Sequence, residues 1–125
     1  MPNREIKFRA WDYTQNKMRE VTSILSVCDG SWSVSYDDEN YIDSDNIELM
    51  QYTGLKDCKG KEIYEGDILV GEHISFKVKV EYVNGAFETE SSIGHYHLLS
   101  EFSRCTIIGN IYENSNLLDK EVRDA

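Results

Sequence analysis

Ile74-Ser75-Phe76-Lys77-Val78-Lys79-Val80-Glu81-Tyr82 carries the strongest pattern in the chain. Its apolar residues recur at every second position, with Ser75, Lys77, Lys79 and Glu81 between them, which is the period of a strand whose two faces meet different surroundings. Asn84-Gly85 follows at once. A two-residue hairpin turn needs positive φ at both central positions, which Asn and Gly tolerate, so Ala86 to Glu90 is expected to return as the partner strand. Towards the N-terminus, Ile47 to Tyr52 alternates in the same way. Tyr41-Ile42, Ser33 to Ser35 and Ile24 to Val27 are shorter β-prone pieces, and Asp29-Gly30 is placed for a tight turn between the last two. Ile6 to Trp11 alternates again: Ile6, Phe8 and Ala10 are expected on a buried face, with Lys7, Arg9 and Trp11 opposite. Beyond the turn formers Asp12 to Asn16, Lys17 to Val21 is expected to pair with it. At the other end, Arg104 to Glu113 carries the last strand, closed by Asn114 to Asn116.

Helix is scarce, with Tyr96 to Phe102 and Leu117 to Val122 as the two short candidates. The expected fold is mainly β, at most a β-rich α+β arrangement. It takes the form of a small, partly open SH3-like barrel with an additional N-terminal hairpin and one or two short helices. A single domain over 1–125 accommodates this, subdivided into an N-terminal β lobe, 1–50, and a barrel-like lobe, 51–118. A chain of 125 residues can bury a core without a metal or disulfide.

Thirteen basic residues against 23 acidic ones give a formal charge of -10, which argues against a generic nucleic-acid binder. No apolar run is long enough for a secretory signal or a membrane span. Cys28, Cys58 and Cys105 are odd in number and far apart, which suits reduced thiols. A cytoplasmic location with no membrane association is the expectation.

The charge is concentrated. Asp37 to Glu48 holds six acidic residues and no basic one. Tested as an EF-hand loop, it places Glu48 at position 12, but Tyr41 and Ile42 occupy positions 5 and 6, where an oxygen ligand and glycine are required. The match fails. The segment reads as a solvated connection between strands, with a recognition surface for a basic partner as the sharper alternative. His95 and His97, one residue apart, would point to the same side of a strand, and Glu90 or Glu101 could complete a metal set. The only other histidine is His73, so a half-exposed pair is the expected reading and no metal is assigned. No nucleophile elbow, Gly-x-Gly-x-x-Gly or P-loop spacing is present, and no sequence neighbour depresses a thiol pKa. No catalytic residue, metal ligand or cofactor-binding residue is assigned, no cofactor is expected, and the binding residues stay open. Lys7, Phe8, Arg9 and Trp11 interleave basic and aromatic groups, as single-strand nucleic-acid binders do, although such rings more often fill a small β core.

Three blocks add a family resemblance. The first is Arg4-Glu5-Ile6-Lys7-Phe8-Arg9-Ala10-Trp11-Asp12, closing on Lys17-Met18. The second is Leu49-Met50-Gln51-Tyr52-Thr53-Gly54-Leu55-Lys56-Asp57 followed by Gly60-Lys61-Glu62-Ile63-Tyr64-Glu65-Gly66-Asp67-Ile68. The third is Ile108-Gly109-Asn110-Ile111-Tyr112-Glu113-Asn114 with Leu117-Leu118. In this order and spacing the chain resembles the YopX family of small bacteriophage and prophage proteins, with departures at Cys58 and Ser115. The resemblance implies a mainly β fold, a phage or prophage origin and self-association, and it carries over no functional residue. The blocks also make sense as scaffold. Lys56 to Gly60 reads as a tight turn, and Gly66 as a turn residue with positive φ ahead of the apolar Ile68-Leu69-Val70 strand. The functional expectation is a non-enzymatic, homo-oligomeric binding module with a host or phage protein as partner. The alternatives are an acidic decoy for a host DNA-binding protein and a single-stranded nucleic-acid binder using Lys7 to Trp11.

Overall fold

A computed structural model describes residues 5–26, 29–37, 40–71, 74–83, 86–91, 94–96 and 104–114. The described chain is mainly β, and it divides into two compact units, Met1–Gln51 and Tyr52–Ala125.

In the first unit, β1 (Phe8–Asp12) and β2 (Lys17–Glu20) form a hairpin in register from Asp12↔Lys17 to Arg9↔Glu20. Asp12 builds its turn. One carboxylate oxygen accepts the Thr14 amide at 2.9 Å and the Thr14 hydroxyl at 2.6 Å, and the other accepts Arg19 Nε at 3.3 Å. The Arg19 guanidinium also lies 4.2 Å from the centre of the Tyr36 ring. Next come β3 (Ser23–Ser26), β4 (Trp32–Ser35) and β5 (Tyr41–Asp43), a three-stranded antiparallel sheet in that order. A 3-10 turn at Ser44–Asn46 leads into β6 (Ile47–Lys56), whose first half pairs with β1 from Asp12↔Ile47 to Phe8↔Gln51. Ala10, Val34 and Ile47 form the core, packed by Val21, Trp32, Ile42 and Leu49.

One expectation fails here. Ile6 precedes β1 and is 74 % exposed, whereas Trp11, expected on the polar face, is only 7 % exposed. The reason is that β1 is covered on both faces, as the successive burial of Ala10, Trp11 and Asp12 shows. Alternation identifies a strand, but a centrally placed strand need not have a wet side.

In the second unit, the latter half of β6 pairs with β7 (Glu62–Tyr64) through Tyr52↔Tyr64 and Lys56↔Glu62. The register slips between those pairs, and Gly54 lies in the slip with φ of +87°. That conformation is strained for any residue with a Cβ, so glycine is what lets the ten-residue strand bulge and continue. Then follow β8 (Asp67–Gly71), β9 (Ile74–Val83), β10 (Ala86–Ser91), β11 (Gly94–Tyr96) and β12 (Cys105–Asn110). They form a five-stranded sheet in the order β11-β10-β9-β8-β12. The β9–β10 pairing runs from Val83↔Ala86 to Lys79↔Glu90, as the opening stretch predicts, while Asn84 and Gly85 themselves lie outside the described residues. Val78 and Val80 of β9 join Ile63, Leu69 and Cys105 in a buried core. Gly66 takes the expected positive φ, +86°, donates its amide to Val80 and accepts that of Ile111. Of the two expected helices, the first is corrected at its start, because Tyr96 closes β11. Residues 97–102 and 117–122 lie outside the described residues.

Candidate binding site

The acidic segment is built rather than merely solvated. The Asp37 carboxylate accepts the Asn40 amide at 2.8 Å and the Asn40 side-chain nitrogen at 3.0 and 2.8 Å, while the Ser35 hydroxyl donates to the Asp37 carbonyl. That clamp turns the chain into β5, and the 3-10 turn carries it on to buried Ile47. Ile42 and Ile47 face the first unit's core, so the alternating carboxylates of Asp43, Asp45 and Glu48 are left exposed. Of the segment, Asp38 and Glu39 lie outside the described residues.

Cross-strand register then assembles a row that sequence order hides. Leu25 is opposite Ser33, and Ser33 is opposite Asp43. Directly paired residues project from the same face of a sheet, so one aliphatic, one hydroxyl and one carboxylate group line up across three strands. Ser31, Ser44 and Asp45 extend this row into a cleft of about 320 Å³. Trp32 also borders it, although its own packing is against the Val34 core. Ser31 is held by Asp29, whose carboxylate accepts its amide at 2.9 Å and its hydroxyl at 2.7 Å. Among the described residues no basic one lines the cleft, and neither Asp43 nor Asp45 meets a cation.

Two other carboxylates have been drawn into the fold. Asp57 is buried and accepts the amides of Lys59 and Lys61, each at 2.9 Å, and of Ile107 at 3.1 Å. Burial pushes its carboxyl upward, but the hydrogen bonds from Ile107, Lys61 and Lys59 and the Lys61 charge outweigh this and hold it below the usual carboxylate range. For Asp12, burial is likewise outweighed by the Thr14, Arg19 and Gln15 hydrogen bonds. Both are scaffold groups.

The remaining sequence candidates are not drawn into this cleft. In the Lys7 to Trp11 stretch, Trp11 is buried and Lys7, Phe8 and Arg9 are partly covered. His95 lies in β11, but its side chain, His97, His73 and Glu101 are outside the described residues. Among the described residues no group of three His, Cys, Asp or Glu side chains is gathered to hold a metal ion. Cys58 is exposed with its sulfur 3.1 Å from the Thr106 hydroxyl, Cys105 is buried, and Cys28 lies outside the described residues. No helix among the described residues is long and apolar enough to cross a membrane.

Comparison with known proteins follows the same blocks. The family model described as YopX protein matches residues 7–119. The crystal structure of protein EF1440 from Enterococcus faecalis is similar at 28 % identity and a TM-score of 0.66, covering 93 % of this chain and 99 % of that one. Protein yopX from Bacillus subtilis, at 22 % identity and a TM-score of 0.64, covers 90 % and 97 % respectively and shares the fold. No curated protein matches the chain.

Proposed function

We propose that this chain, which belongs to the YopX family, is a non-enzymatic phage or prophage accessory protein that assembles with itself and binds a protein partner in the bacterial cytoplasm. The observation that supports assembly is β3. It forms an edge of its sheet, all four of its residues are exposed, and it reads Ser23-Ile24-Leu25-Ser26 without a charge. Ile24 and Leu25 are 44 % and 52 % exposed.

Sheet edges are templates for further pairing, and proteins usually blunt them with lysine, proline or inward charges. The contrast within this unit is direct. The β2 edge carries Lys17, Arg19 and Glu20, and the β5 edge carries Asp43, whereas β3 carries none of these devices. On a chain with a net charge of -10, two copies repel over most of their surface, so an uncharged edge is where they can approach. A second β3 laid antiparallel would satisfy the free edge amides and carbonyls of both copies and leave the Leu25 face open.

The test is light scattering on the purified chain over a range of concentrations. Ile24→Lys and Ser26→Lys, on the face opposite Leu25, each place like charges at the pairing line. Each should weaken assembly roughly ten-fold, the equivalent of about 1.4 kcal/mol. A wild-type chain that stays monomeric at high concentration, or an oligomer indifferent to both substitutions, would overturn the reading.

A further inference from the structure

The cleft beside the acidic segment allows a statement about partner chemistry. We infer that it receives a cationic side chain, arginine or lysine, presented by a basic segment of another protein. The inference rests on the binding-module reading but not on self-assembly.

Charge and shape together support it. The cleft is bordered by Asp43 and Asp45, has no basic residue among its described lining and adjoins a twelve-residue segment with six carboxylates. A phosphate, nucleotide or carboxylate ligand would therefore meet repulsion without a compensating donor charge. A cation meets two carboxylates that no described basic group already neutralises. Volume narrows the choice further. About 320 Å³ is at the lower end for ligand pockets, room for one long side chain but not for a folded element. The lining also suits a side chain with two characters. Leu25 offers apolar surface to an aliphatic stem, while Ser31, Ser33 and Ser44 offer hydroxyl acceptors around a head group. A bare metal ion would use the carboxylates and leave the Leu25 wall unused.

The arrangement is also stiff enough to hold a shape. Ser33 and Asp43 lie in paired strands, Asp29 holds Ser31, and buried Ile47 closes the 3-10 turn that carries Ser44 and Asp45. Little ordering is left for the protein side to undergo on binding, which matters when a single side chain provides the contact.

The experiment is a nuclear magnetic resonance titration of the full chain with acetyl-Gly-Gly-Arg-Gly-Gly-amide, alongside the same peptide with citrulline, the neutral isostere of arginine. Shifts should be confined to Leu25, Ser31, Ser33 and Asp43 to Asp45, and the citrulline peptide should bind roughly ten-fold more weakly. Asp43→Asn and Asp45→Asn should each weaken the arginine peptide several-fold. Glu48→Gln removes a charge from the same segment outside the cleft, and it should leave affinity within about two-fold. Equal binding of the citrulline peptide, shifts spread over the whole acidic surface, or an effect of Glu48→Gln matching that of Asp43→Asn would overturn the inference. So would calcium or magnesium alone saturating the same residues and displacing the peptide, which would make this a metal site. Ser26→Lys keeps the two readings apart. A monomeric wild type that still binds the arginine peptide removes self-assembly and leaves the cleft, and an oligomer that ignores the peptide does the reverse.

Discussion

In the first unit Asp43 and Asp45 stand exposed beside a cleft, whereas in the second Asp57 is buried and accepts three backbone amides. The same functional group therefore does opposite things. At Asp57 the charge is consumed in closing the turn at 57–61 against β12, and nothing outside the protein can use it. At Asp43 and Asp45 the carboxylates stand exposed, and among the described residues no cation lies against them. The cores differ in parallel. Among the described residues, five buried ones cluster in the second unit, Ile63, Leu69, Val78, Val80 and Cys105, against Ala10, Val34 and Ile47 in the first. The unit with the smaller cluster carries both the bare β3 edge and the cleft.

Substitutions can break this contrast or sharpen it, and the largest effect is expected at Trp11. Trp11→Ala removes a nearly buried ring and should cost about 3–5 kcal/mol in denaturant unfolding. A change below about 1 kcal/mol would mean that the ring is not packed. Asp57→Ala leaves three amides without their acceptor and should cost about 3 kcal/mol. Hydrogen exchange should rise first at Lys59, Lys61 and Ile107.

Acid probes the same carboxylates without a mutation. Asp12 and Asp57 both titrate below their ordinary value of 3.8, so their contribution to stability is fully present above about pH 4. It is lost as pH falls through the depressed native values, and Asp57→Asn should flatten that loss when unfolding is followed from neutral pH downward. Gly66→Val, forced into a left-handed conformation at φ of +86°, should cost about 2 kcal/mol by thermal melting. The smallest effect is expected at the cleft. Asp43→Asn and Asp45→Asn should leave stability within about 0.5 kcal/mol, and a larger loss would place them with Asp57 as scaffold.

How much of this could be read from residues alone depended on whether the deciding interaction was local. Ile74 to Tyr82 announced β9 because its alternation is contained within one strand, and Val78 and Val80 enter the core as that alternation requires. Ile6 to Trp11 announced a strand equally well but misled about its faces, since the coverage of Trp11 comes from packing over both faces of β1, which the strand's own residues do not encode. The acidity of Asp37 to Glu48 was plain from composition and Tyr41-Ile42 was legible as a strand, but the clamp between Asp37 and Asn40 and the 3-10 turn were not. The cleft was harder still. Leu25, Ser33 and Asp43 have no sequence relation, and only the register of three antiparallel strands sets them in a row. Asp57 stood in the recognisable central block as a turn residue. Its bond to Ile107 spans fifty positions, and no local signal points to it.

That span has a consequence for how the chain is made. Synthesis delivers the Asp57 turn long before Ile107, and β12 is a neighbour of β8 although β9, β10 and β11 are translated between them. Until β12 leaves the ribosome, Asp57 lacks one of its three amide donors and β8 lacks one of its two strand neighbours. A nascent chain arrested just short of Cys105 should therefore be cut readily by protease within β8, and one extended beyond Asn114 should resist. The second unit behaves like a knot tied with its last loop: nearly all the thread is present early, and it tightens only when the end comes back past the beginning.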